Sequence, residues 1–174
     1  MIREIKGFSL FELVVVLTII GILTAFAAEK LPVWQAQAER ASMESVAGSL
    51  RSALGIKVAS MYAQSDMAGI RALTGSNPME QLADVPTNYA GVHGGAVAVT
   101  TVAGGKWYYD TMARQLVYRI RSSSLLGAPG VAGEIRFAVQ LVYDDRNRNG
   151  VYDVAVDGLN GVRLVEVQPF AWPG

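Results

Sequence analysis

A single carboxylate interrupts the most apolar stretch of the chain. Between Phe8 and Ala28 the only ionisable side chain is Glu12, and from Leu13 to Ala28 there is none. A charge inside an apolar helix costs roughly 2.5–3.5 kcal/mol on insertion scales, so Glu12 needs a positive partner. If the chain is cut after Gly7, the new amine of Phe8 lies four residues from Glu12, on the same helical face. The amine of a neighbouring copy is the better partner, because docking at one register neutralises both groups. Phe8 and Glu12 then form a registry device for polymerisation. The plainer reading of Glu12 is a side chain that snorkels to a membrane interface.

A second constellation lies near the C-terminus. Asp145, Asn147, Asn149 and Asp153 fall at the first, third, fifth and ninth positions of a loop, with Gly150 sixth and the Val151 carbonyl seventh. Hard oxygen donors at this spacing suit calcium, and the glycine allows the sharp turn, as at the front of an EF-hand-type loop. The twelfth position is Val156 in place of a bidentate glutamate, so Asp144 or Asp157 would have to supply oxygens, and Arg146 and Arg148 weaken the local field. The competing reading is an Asx-rich turn that needs no ion. No cysteine is present to fasten this region, which tilts the reading toward one structural calcium ion. No other cofactor is called for.

These residues need elements to hold them. Residues 8–28 as a helix would reach ~30 Å, the thickness of a bilayer's hydrocarbon core. Two kinds of processing compete. An ordinary secretory signal would use Arg3 and Lys6 as its positive region and Ala25-Phe26-Ala27 as its cleavage site, leaving a soluble periplasmic domain. A cut after Gly7 would keep the helix, and the helical pattern does continue past Ala28. Pro32 should kink that helix without ending it. Beyond it Met43, Val46, Ala47, Leu50, Leu54 and Met61 recur at three- and four-residue steps, with Ser45, Ser49 and Ser52 on the other side. Such a stripe should pack on a sheet.

The run Gly7-Phe8-Ser9-Leu10-Phe11-Glu12-Leu13, followed by an apolar segment containing Gly21, resembles the N-terminal signature of type IV pilins and type II secretion pseudopilins. The resemblance implies a leader of residues 1–7 removed after Gly7 by a prepilin peptidase, a methylated N-terminus at Phe8, and Glu12 used in filament assembly. It implies a membrane-spanning polymerisation helix over residues 8–31, with Gly21 to Pro32 as a zone of helix flexibility. Residues 32–174 would form a periplasmic domain that includes the second half of the helix. The implied partners are other pilin or pseudopilin subunits, the inner membrane of a Gram-negative bacterium, and an assembly platform with its ATPase. The run from Glu44 to Lys57 is more loosely similar to mannose-sensitive haemagglutinin-type pilins. Many type IV pilins carry a C-terminal disulfide; this cysteine-free chain is closer to the pseudopilins.

Composition fits one tethered domain: 174 residues, 51% hydrophobic, and a formal net charge of zero that gives no sign of a general nucleic-acid surface. Past Tyr62 the helical pattern fades. Asn77-Pro78-Met79-Glu80 predicts a short helix through Leu82, capped by Asn77. Residues 85–95 read as a loop in which His93, the only histidine, is exposed. Residues 96–102 alternate weakly, 106–109 and 115–120 form a hairpin, 122–133 a loop, and 134–143 and 161–170 further strands. The predicted class is α+β, with a long N-terminal helix packed on a C-terminal antiparallel sheet.

An enzyme is not supported. One histidine among glycines completes no catalytic triad and no paired metal site, and no glycine-rich phosphate loop precedes a helix. The expected function is a structural subunit of a type IV pilus or type II secretion filament. Its rival is a minor pilin whose loops grip DNA, a surface or an exported substrate, for which Arg119, Arg121 and Arg136 are the only basic cluster in the predicted sheet.

Overall fold

A computed structural model describes residues 8–94, 101–121 and 133–168 of the chain. The chain divides into two compact units, residues 1–38 and 39–174.

The first unit is helical throughout its described length except at Phe8 and Ser9. Helix α1 (Leu10–Ala63) begins here and passes through Pro32 without ending. Its start is set by Ser9, whose Oγ accepts the Glu12 backbone N–H at 3.1 Å, the N-cap bond that occupies one of the helix's unpaired donors. Every residue from Phe8 to Gln35 is exposed. The two hydroxyls inside the apolar run turn back on the helix: Thr18 donates to the Val14 carbonyl at 2.8 Å and Thr24 to the Ile20 carbonyl at 2.7 Å. No hydroxyl in the run therefore needs water, which suits an apolar surrounding. This helix is long and apolar enough to cross a membrane.

In the second unit the remainder of α1 packs on a five-stranded sheet ordered β1-β2-β3-β4-β5. The strands are β1 (Tyr89–His93), β2 (Lys106–Asp110), β3 (Gln115–Arg119), β4 (Glu134–Asp144) and β5 (Gly158–Glu166). All neighbours are antiparallel except β1 and β2, which run parallel. The predicted stripe is the one used. Met43, Ala47, Leu50 and Leu54 are buried in one cluster with Trp107, Leu116, Tyr118, Ile135, Phe137, Val139 and Leu164, and Val46 and Met61 pack at its margin. Trp107 sits between Tyr118 and Phe137, at ring separations of 4.9 and 5.6 Å. In β4 the alternation places Ile135, Phe137 and Val139 in that core while Arg136 and Gln140 face away.

Several expectations are corrected. Tyr89–His93, expected as loop, is an edge strand, and Gly91 at φ +94° makes the irregularity that lets it pair with β2. A short helix α2 (Met67–Ala72) follows α1 where the pattern had faded, capped by Asp66, whose carboxylate accepts the Gly69 N–H. The helix at Pro78–Gln81 is 3-10, with Asn77 as its cap as expected. Of residues 96–102 only Thr101 and Val102 are described, and neither is in a strand. Strand β5 starts at Gly158, before the expected 161, and ends at Glu166, with residues 169–170 outside the described residues. The expected loop of 122–133 also lies outside them, apart from Gly133.

Candidate assembly and loop sites

Glu12 stands in the first turn of α1, where the unpaired N–H groups of the helix end favour a negative charge and lower the cost of carrying it. Phe8, four residues earlier, is 67% exposed. Gly7, the residue expected to precede the cut, lies outside the described residues. Gly21 has open space where a side chain would be, so no close packing within the chain calls for glycine there. A glycine in mid-helix costs roughly 1 kcal/mol relative to alanine. Gly21 and Pro32 are the two residues in this unit that weaken the helix from within.

The loop from Asp145 to Asp157 is built from backbone N–H groups gathered by side-chain oxygens. Asp145 accepts from Asn149 at 3.2 Å and from Gly150 at 2.8 Å, one bond to each carboxylate oxygen. Asn147 also accepts from Asn149, and Asn149 accepts from Val151. The second half is tied by Asp157, which is nearly buried and accepts from Arg146 at 3.0 Å and Asp153 at 2.7 Å. Asp153 in turn accepts from Ala155. Gly150, at φ +75°, supplies the left-handed turn.

The structure therefore sorts the expected ligands into two groups. Asp145, Asn147 and Asn149 share one turn, while Asp153 and Asp157 close the other, and Val151 lies exposed between them. Asp144 lies 3.6 Å from the Arg146 guanidinium, both side chains exposed. Among the described residues no group of three or more His, Cys, Asp or Glu side chains is placed to hold a metal ion. A carboxylate has about four acceptor sites, so Asp145 and Asp157 each keep capacity beyond the two bonds they make. What the spacing did not reveal is the role of Asp157, which fastens the loop entrance to its exit.

His93 is half-buried in β1 rather than exposed in a loop, with Nε2 3.1 Å from the Ala90 carbonyl oxygen and its ring edge-on to Tyr108. Two of the three arginines of the expected basic cluster are engaged within the second unit. Arg136 is paired with Glu134 at 2.8 Å and Asp110 at 3.4 Å, and Arg119 donates to the Val102 carbonyl. Burial, reinforced by the Glu134 carboxylate, pushes the Tyr108 phenol up to about 12. Near the start of the unit, Glu39 accepts from the Tyr118 hydroxyl at 2.9 Å and the Arg121 N–H at 2.7 Å, fastening α1 to the end of β3. Burial, then that hydrogen bond, raises Tyr118 as well. Glu39 carries no sequence signal, and the spacing that marked Asp157 as a candidate oxygen donor did not show that it fastens the Arg146 and Asp153 backbone N–H groups.

Neither the curated proteins nor the solved structures compared with this chain gave a match. Residues 2–28 match the family model described as the prokaryotic N-terminal methylation motif. That segment ends within the apolar run of α1 and contains Gly7, Phe8 and Glu12. The chain thus carries, at its N-terminus, the signature of type IV pilins and pseudopilins.

Proposed function

We propose that the chain is a structural subunit of a type IV pilus or type II secretion filament. It is cut after Gly7, methylated at Phe8, anchored by the first half of α1 and joined to its neighbours through Glu12 and the Phe8 amine. One observation carries the reading. Within residues 2–28 the methylation motif coincides with an exposed apolar helix whose single carboxylate sits four residues from Phe8. An exposed face of that kind needs lipid or other apolar helices around it. The role of a minor subunit gripping DNA has less support, because Arg136 and Arg119 are engaged within the sheet.

The loop from Asp145 to Asp157 is the second element of the reading: a turn that one calcium ion of modest affinity stiffens, through oxygens not used by its backbone bonds.

The intact mass of the protein extracted from membranes tests the main reading. The expected product begins at Phe8 and carries one methyl group. A product beginning at Ala28 would overturn it, since the polymerisation helix would then be gone.

A further inference from the structure

The loop that Asp145 closes contains an asparagine followed by glycine, Asn149-Gly150, and both residues are exposed. This pair can modify itself. The Gly150 backbone nitrogen, after losing its proton to base, bonds to Asn149 Cγ. The Cγ–Nδ2 bond breaks and ammonia leaves, giving a five-membered imide. Water then opens the imide at either carbonyl, leaving aspartate or isoaspartate at position 149. Glycine makes the step easy because no side chain hinders the attacking nitrogen, and at Gly150 the space is open.

Two features of the fold act against the reaction. The Gly150 N–H donates to Asp145 Oδ2 at 2.8 Å, so the proton that must leave is held by a carboxylate, and the amide anion would form beside a negative charge. The Asn149 side-chain oxygen accepts the Val151 N–H at 2.8 Å, so the carboxamide must break that bond to turn toward the nitrogen. We propose that Asn149-Gly150 is a succinimide-forming modification site and that Asp145 sets its rate, keeping it slow while the loop is folded. The isoaspartyl product would add a methylene to the backbone beside the φ +75° turn at Gly150 and pull apart the bonds that Asp145 gathers.

The chain supplies its own control. Asn160-Gly161 is the same dipeptide, but it lies in β5, where Gly161 is buried and pairs with Val142. Asp145 makes no bond there.

The test is to age the full chain in detergent micelles at mildly alkaline pH and follow the conversion of each asparagine by peptide mapping, separating aspartate from isoaspartate. Asp145→Asn should raise the rate at Asn149 roughly tenfold or more, in keeping with loss of a hydrogen bond to a charged group, while Asn160 is unchanged. Equal rates at Asn149 in the two proteins would overturn the proposal, and so would a parallel rise at Asn160, which marks general loosening. A second measurement does not depend on the variant. In concentrated urea the wild-type rate at Asn149 should exceed the folded rate by a similar factor. No difference between folded and unfolded wild type would equally refute the guard.

Discussion

The two halves of α1 have the same backbone and opposite surroundings. From residue 10 to 35 leucines, valines and isoleucines occupy every side of the helix and all are exposed, whereas from Met43 to Met61 one apolar stripe is buried and most of the remaining surface is polar, Ile56 being the large exposed exception. Leu17 is 59% exposed and Leu50 not at all. The difference separates two uses of hydrophobicity. The second half spends its apolar residues on folding its own chain. The first half contributes nothing to that core, so selection for its apolarity must come from what lies outside the chain.

The strongest way to break this contrast is Glu12→Val. It leaves Phe8 to Ala28 with no ionisable side chain, so membrane insertion and cleavage should persist while incorporation into sheared filaments is lost. Normal incorporation, read by immunoblot of the sheared fraction, would show that the carboxylate is not the registry device. The contrast sharpens with one substitution made in both halves. Leu50→Ala should cost ~2–5 kcal/mol of stability, whereas Leu17→Ala should stay within ~0.5 kcal/mol. Thermal melts of the full chain in micelles would show a large drop for the first and almost none for the second. Equal drops would mean that the first half packs on its own chain after all.

Smaller effects belong to the second unit alone. If calcium stiffens the Asp145–Asp157 loop, a hundredfold excess over Kd adds about 2.7 kcal/mol, and chelator should lower the melting temperature unless Asp145 is replaced by alanine. Identical melts in chelator and in millimolar calcium reduce the loop to a turn. The smallest effect is alkaline. Tyr108 is raised from 10.0 to about 12, so between those values the unfolded chain releases its proton while the folded one keeps it. Stability from this source is full below pH 10 and falls as pH rises toward 12. Tyr108→Phe should flatten that part of the stability profile without shifting the neutral baseline upward.

How much of this could be read from residues alone depends on how local each cause is. The stripe on α1 and the alternation in β4 were legible because helix and strand periods write burial directly into sequence. The strand β1 was not. Gly91 and Gly94 look like punctuation, and what makes Tyr89–His93 a strand is pairing with Trp107 to Asp110, which no local pattern records. The helix α2 was missed because Gly69 lowers its propensity, although Asp66 was a visible cap. In the candidate sites, Glu12 stood out by its isolation and the loop by its spacing. The clasp of Asp157 and the tie from Glu39 to the Tyr118 hydroxyl and the Arg121 N–H were hidden, since each joins groups that no local pattern brings together.

The order of the strands has a consequence for how the chain matures. From β2 onward each strand lies beside the one that follows it in sequence, so the sheet is made of contacts between near neighbours along the chain. Sheets of that kind close short loops first and escape the slow search that distant pairings impose. No cysteine is present, so folding waits for no oxidation step. If the N-terminal helix is anchored as proposed, such a sheet can condense strand upon strand by local pairing and without an oxidation step.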